Sequence, residues 1–212
     1  MKRTTAIVST ILIFAISAYA QVSFEIQGGL NIANLSNPGN LVPGAVWSSR
    51  IGFVGSASTT FKLTDILLIS PGMRFVQKGT KSEWAGSPVG QVRSTLTNNY
   101  LELPVYLKME ITELPTQLSI VGGPAFSYLL SSRLEGTTQM FGFESFDVKA
   151  DYKSYDASID LGFSVQTPLV NNIALLATGI YSYGFIKIDE RQSDEQTRDF
   201  RFTIGASYSL KE

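Results

Sequence analysis

The chain has 212 residues, of which 44% are hydrophobic, and its formal net charge of −1 provides no basic field that would attract nucleic acid. It contains neither Cys nor His, which excludes a disulfide framework, metal sites with cysteine or histidine ligands, and a Ser-His-Asp triad. We therefore expect no catalysis and no cofactor.

The first twenty residues have the three parts of a secretory signal peptide. Residues 1–3 are a positively charged start, residues 6–16 are an apolar run, and residues 18–20 read Ala-Tyr-Ala, a small-x-small cleavage pattern. The apolar run is shorter than the ~20 residues that a membrane-spanning helix requires. We therefore expect cleavage after Ala20, with residues 21–212 forming one exported domain.

Eight segments of the chain alternate apolar and polar residues with the period of two that a β-strand with one apolar face requires. They cover residues 21–35, 50–62, 66–79, 99–110, 116–134, 155–167, 173–188 and 200–210. In the clearest of them, NYLELPVYLKME, Leu103 and Leu107 share the apolar side, whereas Glu102 and Lys108 share the polar side. Such a strand suits a barrel wall between lipid and a polar interior. In segment 116–134 both alternating sets are apolar, so its facing stays open.

The connections between these segments alternate strictly between long and short. Long polar loops are predicted at residues 34–49, 80–95, 135–153 and 189–198, and short turns at residues 63–65, 112–115 and 168–172. Transmembrane barrels have long extracellular loops and short periplasmic turns. The sequence therefore predicts an all-β protein, an eight-stranded antiparallel up-and-down transmembrane β-barrel of the outer membrane.

Several motifs resemble those of the small outer-membrane β-barrel family common in Bacteroidota, described as PorT-like or as the porin family. The motifs are GGLNIANLS at 28–36, ISPGMRFVQKGTK at 69–81, NYLELPVYLK at 99–108, GGPAFSYLLSS at 122–132 and the final ASYSL. They follow the family's order through nearly all of the chain after residue 20. The resemblance implies a barrel fold and an outer-membrane location, and little about chemistry.

Six charged residues fall on the polar sides of the predicted strands. They are Glu25, Arg74, Glu102, Lys108, Asp160 and Arg201. Because the interior of an eight-stranded barrel is just filled by side chains, and because buried charges need partners, we interpret these residues as an internal ion-pair network. The alternative is a set of groups that line a pore or bind a solute.

Aromatic and basic residues stand out in the long predicted loops. The aromatic ones are Trp47, Trp84, Phe141, Phe143 and Phe146. We predict that they contact a protein or glycan partner, or else belong to the aromatic girdle of the barrel. Lys78, Lys81 and Arg93 are predicted to lie near the outer rim and to pair with lipopolysaccharide phosphates. The expected partners are therefore outer-membrane lipid and lipopolysaccharide.

These patterns predict a monomeric integral outer-membrane barrel with a structural or binding role through its extracellular loops. Two alternatives stay open. The first is a narrow passive pore or a subunit of an outer-membrane secretion or transport complex. The second is a soluble exported barrel that binds a small ligand.

Overall fold

The computed structural model describes residues 21–36, 45–85, 91–112, 115–138, 142–186 and 196–210. This part of the chain forms nine strands and one short 3-10 helix. The strands are β1 (Val22–Ser36), β2 (Val46–Lys62), β3 (Leu67–Trp84), β4 (Val92–Glu110), β5 (Gln117–Thr138), β6 (Gly142–Asp147), β7 (Tyr155–Val170), β8 (Ile173–Gly184) and β9 (Gln196–Leu210). The 3-10 helix, Lys149–Asp151, lies between β6 and β7. The predicted signal peptide, residues 1–20, lies outside the described ranges.

Eight of these strands close into a barrel. Each is antiparallel to its neighbours in the order β4-β3-β2-β1-β9-β8-β7-β5, and pairing of β4 with β5 completes the circle. The first and last strands pair along their whole length, from Val22 opposite Leu210 to Ser36 opposite Gln196. The predicted eight-stranded antiparallel barrel is therefore confirmed. Within the described residues, no helix is long and apolar enough to cross a membrane.

The alternating faces of β4 lie as the sequence predicts. Glu102 and Lys108 are buried inside the barrel, whereas Leu103 and Leu107 are exposed on its outer surface. The same separation holds on β7, where Asp160 points inward and Leu161 outward. The apolar outer rows together form a belt around the barrel, which we call the apolar belt.

β5 contains a β-bulge and is apolar on both sides before the bulge. Asn99 lies opposite Ser131 and Tyr100 lies opposite Leu129, so Leu130 is an extra residue on β5. Leu129 is 0% exposed in the interior, and Leu130 is 42% exposed on the outside. A bulge of one residue switches which alternating set faces inward. Both sets are apolar before the bulge, because the inward Val121 and Ala125 are buried in the interior while the outward Phe126 is exposed.

The long loops predicted at residues 80–95 and 135–153 are wrong over most of their length. β3 continues to Trp84, β4 already begins at Val92, and residues 142–147 form β6. These polar segments pair with one another beyond the apolar belt, and hydroxyl groups such as those of Ser82 and Ser94, 2.7 Å apart, bond across the strands. We call this continuation of the sheet the extension. A polar strand with both faces in water lacks the apolar alternation by which strands are recognised.

β6 and β7 lie on the same edge of β5, one beyond the other. β6 pairs with residues 133–138, and β7 pairs with residues 117–128. Between them the chain leaves the sheet beside the bulge and forms the 3-10 helix, while Ser154 accepts a hydrogen bond from the N–H of Leu129 at 2.8 Å. This detour packs Tyr152 against a buried apolar cluster that consists of Val54, Val76, Tyr100 and Leu129.

Candidate functional site

A group of buried charges fills the middle of the barrel. It contains three cations and four carboxylates among the described residues, and none of these seven residues is more than 4% exposed. They are Arg74 and Lys78 on β3, Glu102 on β4, Asp156 and Asp160 on β7, and Asp199 and Arg201 on β9. We call this group the central network. Each member occupies an inward position of its strand, so the closed sheet alone brings them together.

Glu102 joins the three cations of the central network. Arg74 donates to its Oε2 from Nε at 2.7 Å and forms a second, ion-pair contact from Nη2. Lys78 Nζ lies 2.9 Å from Oε1, and Arg201 Nη2 lies 3.5 Å from the same oxygen. Ser127 donates to Oε1 at 3.0 Å. The carboxylate thus has partners on both oxygens, as a fully buried charge requires.

Asp160 bridges the two arginines from the opposite wall. Its Oδ2 accepts bonds from Arg74 Nη2 at 2.9 Å and from Arg201 Nη1 at 3.0 Å. The Tyr106 hydroxyl donates to the same oxygen at 2.5 Å and accepts a bond from Arg74 Nη1 at 2.5 Å. β3, β4, β7 and β9 are therefore linked across the bore by charge-assisted hydrogen bonds, which are about twice as strong as neutral ones.

Asp199 and Asp156 extend the network toward the extension. Arg201 Nη2 donates to Asp199 at 2.9 Å, and Lys78 Nζ lies 3.3 Å from Asp199 and 3.7 Å from Asp156. The Thr197 hydroxyl donates to Asp156 at 2.7 Å. Leu96 lies opposite Thr80, beyond Lys78 on the side of the extension, and is buried. It packs against Leu134, Val148 and Tyr152, so apolar side chains cover the charged part of the bore on that side.

Glu25 and Lys108 form a separate buried pair on the other side of the central network. Lys108 Nζ lies 2.6 and 2.7 Å from the two carboxylate oxygens, and Thr60 donates to Glu25 at 2.8 Å. The pair borders a polar cavity of about 360 Å³, whose lining includes Asn171 and Asn172 of the short turn between β7 and β8. We call this cavity the vestibule; it lies at the short-turn end of the barrel.

The six predicted interior residues therefore occupy two places. Arg74, Glu102, Asp160 and Arg201 meet in the central network, while Glu25 and Lys108 do not reach it. Within the described residues, no group of three or more Asp, Glu, His or Cys side chains is arranged to hold a metal ion. The chemical capacity of these interior groups is to hold one another in place and to fill the bore.

The sequence interpretation missed three members of the network and misplaced one of them. Lys78, predicted near the lipopolysaccharide at the outer rim, is 1% exposed and lies inside the barrel. It follows Arg74 by four residues on the same strand, and this even spacing was the available signal. Asp156 and Asp199 likewise precede Asp160 and Arg201 by even intervals.

The predicted loop aromatics lie on the strands of the extension. Trp47 is on β2 and Trp84 ends β3, both half-buried, while Phe143 and Phe146 are exposed on β6. Because Phe143 and Phe146 are three residues apart, they lie on opposite faces of β6. Phe141 lies outside the described residues.

The two remaining predicted basic residues lie on the outside of the extension. Lys81 is exposed, and Arg93 Nε lies 3.3 Å from Glu83 with both side chains more than half exposed. Arg93 therefore already has an anionic partner within the protein.

A closed antiparallel barrel with an apolar outer belt and a charged, filled interior is the architecture of an outer-membrane β-barrel protein. Comparison with known proteins agrees. Residues 17–190 match the family model described as outer membrane protein beta-barrel domain, and the chain belongs to that family.

Two solved structures with the same fold are bacterial proteins of low sequence identity. A major outer membrane protein from Thermus thermophilus is 14% identical with a TM-score of 0.55, over 91% of this chain and 100% of that one. Neisserial surface protein A (NspA) is 11% identical with a TM-score of 0.52, over 89% and 97% of the two chains. At such low identity these likenesses show the fold alone.

The outer membrane protease OmpT from Escherichia coli is also similar, at 8% identity and a TM-score of 0.46, over 90% of this chain and 97% of that one. This likeness is too distant to bear on activity. No curated protein matches the sequence significantly.

Proposed function

We propose that this chain is a closed, non-conducting outer-membrane barrel of the PorT-like type, with a structural or binding role through the extension and with no catalytic activity. The observation that carries the proposal is the central network. It connects four walls of the barrel across the bore, and its side chains are buried.

A hydrated ion that crossed the barrel would have to separate these charges. Removing one partner from a buried ion pair costs about 3–5 kcal/mol, and Arg201 alone contacts Asp160, Asp199 and Glu102. The ion would also have to pass the apolar layer in which Leu96 packs against Leu134, Val148 and Tyr152. Such a pathway has a high barrier at two successive layers, which favours a closed interior over the passive pore.

The binding side of the proposal rests on the extension. β6 carries exposed Phe143 and Phe146, and its other edge pairs with no described strand. An exposed strand edge with aromatic side chains is a surface to which another chain can add a strand. These features favour a protein partner over a glycan.

The soluble ligand-binding alternative is wrong, because the chain belongs to an outer-membrane barrel family. Its outer surface agrees with that outcome. Rows of exposed apolar side chains surround the barrel, such as Leu161, Phe163 and Ile204, and a soluble protein rarely exposes so large a contiguous apolar patch.

Electrical recording tests the closed interior. Residues 21–212, refolded in detergent and added to planar bilayers, should produce no single-channel steps at voltages at which a general porin conducts. The control is the double variant Arg201→Ala with Tyr152→Ala, which removes one cation of the central network and the tyrosine ring of the apolar layer that covers it. Regular steps from the wild-type protein would refute the proposal and restore the pore alternative.

Site-specific cross-linking tests the binding role. A photoreactive residue placed at Phe143 or Phe146 in living cells should give a discrete cross-linked product, whereas the same residue at Thr95, on another strand of the extension, should not. No product at either β6 position, or equal products at all three positions, would count against this surface.

A further inference from the structure

We propose that the outer face of β5, β7, β8 and β9 binds the phosphate of an outer-leaflet lipid at the border between the apolar belt and the extension, with Lys149 and Arg198 as the cations. The inference rests on the proposed membrane orientation, in which the extension is extracellular. It also reassigns the predicted contact with lipopolysaccharide from Lys78 and Arg93 to Lys149 and Arg198.

The border of the apolar belt is marked by tyrosines on this face. Tyr128 of β5 lies directly opposite Tyr155 of β7, and more than half of each residue is exposed. One further step along β5, Leu130 is still apolar and exposed, and then exposed Ser131 and Arg133 follow. Tyrosine favours the level of the lipid headgroups, because its ring is apolar and its hydroxyl is polar. The headgroups therefore belong at this height.

Lys149 holds an ammonium group at that border. Its Nζ donates a hydrogen bond to the carbonyl oxygen of Leu130 at 3.0 Å and lies 5.8 Å from the centroid of the Tyr128 ring. Because an ammonium group has three donors, this bond leaves two that can be directed at an anion. The position follows from the detour between β6 and β7, since the 3-10 helix lies beside the bulge at Leu130.

Arg198 repeats the arrangement two strands away. It lies directly opposite Tyr183, and its guanidinium carbon is 4.8 Å from the centroid of the Tyr183 ring. The Tyr183 ring in turn contacts Phe185, with 5.6 Å between ring centroids. A guanidinium that lies over an aromatic ring can still direct N–H groups at a phosphate and form bidentate bonds to it.

Charged residues of both signs lie along this border and on the strands just beyond it. The described ones are the basic Arg133, Lys149, Lys153 and Arg198 and the acidic Glu135, Glu144, Asp147 and Asp151. We assign the anion to Lys149 and Arg198 because these two cations lie over tyrosine rings, whereas Arg93 on the other side of the extension is paired with Glu83. A free phosphate would gain nothing from the exposed rings below the cations, but a lipid would place its acyl chains against them. We therefore assign the anion to a lipid headgroup.

Binding of lipid A to the refolded chain of residues 21–212 in micelles tests this inference. Phosphorylated lipid A and the same lipid after removal of its phosphates are titrated at low salt. Wild-type protein should bind the phosphorylated form at least about tenfold more tightly, and Lys149→Gln or Arg198→Gln should each reduce that preference by about fivefold, the effect of one basic residue near an anionic surface. Lys149→Arg should keep it.

Arg93→Gln is the matched control and should leave the preference unchanged. Equal affinity for the two lipids, or an equal loss in Arg93→Gln, would overturn the inference. So would inorganic phosphate that competes with the lipid at similar concentration, because the site would then recognise a soluble anion. Heat-modifiable migration on a gel verifies that each variant is folded. Conductance is a separate readout, so a failure of the closed-barrel proposal would be recognised independently.

Discussion

Replacement of Arg201 by Met should strongly destabilise the barrel. The guanidinium lies 3.0 Å from Asp160, 2.9 Å from Asp199 and 3.5 Å from Glu102, and its side chain is 2% exposed. Methionine restores much of the lost volume but no charge, so the four carboxylates of the central network would keep two cations. Breaking a buried ion pair on one side costs about 3–5 kcal/mol, and we expect a loss of unfolding free energy in that range.

The assay is equilibrium unfolding in urea, with the protein refolded in phospholipid vesicles and followed by the fluorescence of Trp47 and Trp84. The matched control is Arg93→Met, which removes an exposed pair with Glu83 and should cost no more than about 1 kcal/mol.

A second substitution separates charge from packing. Asp199→Asn in the Arg201→Met background neutralises a carboxylate that has lost its arginine partner and should restore about 1–3 kcal/mol, the usual coupling between contacting residues. If Arg201→Met lost no more stability than Arg93→Met, or if Asp199→Asn lowered stability further, the assignment of the network as the stabilising element of the interior would be refuted.

Two further substitutions test the wall of the barrel. Gly79 has φ +144°, and a Cβ there would lie 2.0 Å from the carbonyl oxygen of Leu96. Gly79→Ala should therefore lower the unfolding free energy by about 1–3 kcal/mol or more. The control Gly136→Ala, where nothing lies within 4 Å of the added Cβ, should change the unfolding free energy little, and equal effects of the two substitutions would contradict the steric reasoning. Val105 is exposed at the middle of the apolar row on β4, so Val105→Arg should lower the unfolding free energy in vesicles by about 2–4 kcal/mol. The control Thr95→Arg, on the same strand but beyond the apolar belt, should lower it by no more than about 1 kcal/mol. A larger loss for Thr95→Arg than for Val105→Arg would contradict the assignment of the apolar belt to the membrane.

The strands that face lipid were predictable because lipid on one side and the polar interior on the other require each strand to have one apolar and one polar face. Along β4 each outward residue from Leu101 to Met109 meets lipid and each inward residue meets the polar interior, so the period of two is unbroken. In the extension both faces of a strand meet water, the alternation fades, and residues such as those of β6 resembled a loop. The facing of β5 stayed open for a different reason. Val121 and Ala125 make its buried side apolar as well, and the extra residue Leu130 then exchanges the two sides.

The residues of the interior were predictable one strand at a time, and their grouping was not. Even spacing identifies Arg74 and Arg201 as inward, but the heights at which they meet Asp160 depend on the stagger between strands. That stagger is fixed by pairings between residues far apart in the sequence, such as Asn31 with Arg201. The separation of Glu25 and Lys108 from the central network follows from the same stagger.

The pairing of β1 with β9 means that the barrel can close only when all eight of its strands are present. A barrel that stopped at β8 would hold the backbone N–H and C=O groups of β1 and β8 unpaired in hydrocarbon, and each such group costs several kcal/mol. The contact between Gln27 and Thr203 spans 176 residues, so this seam cannot form before β9 has been made, and it bears the largest loop-closure entropy of the fold. Chains that lack β9 thus cannot form a stable barrel in the membrane.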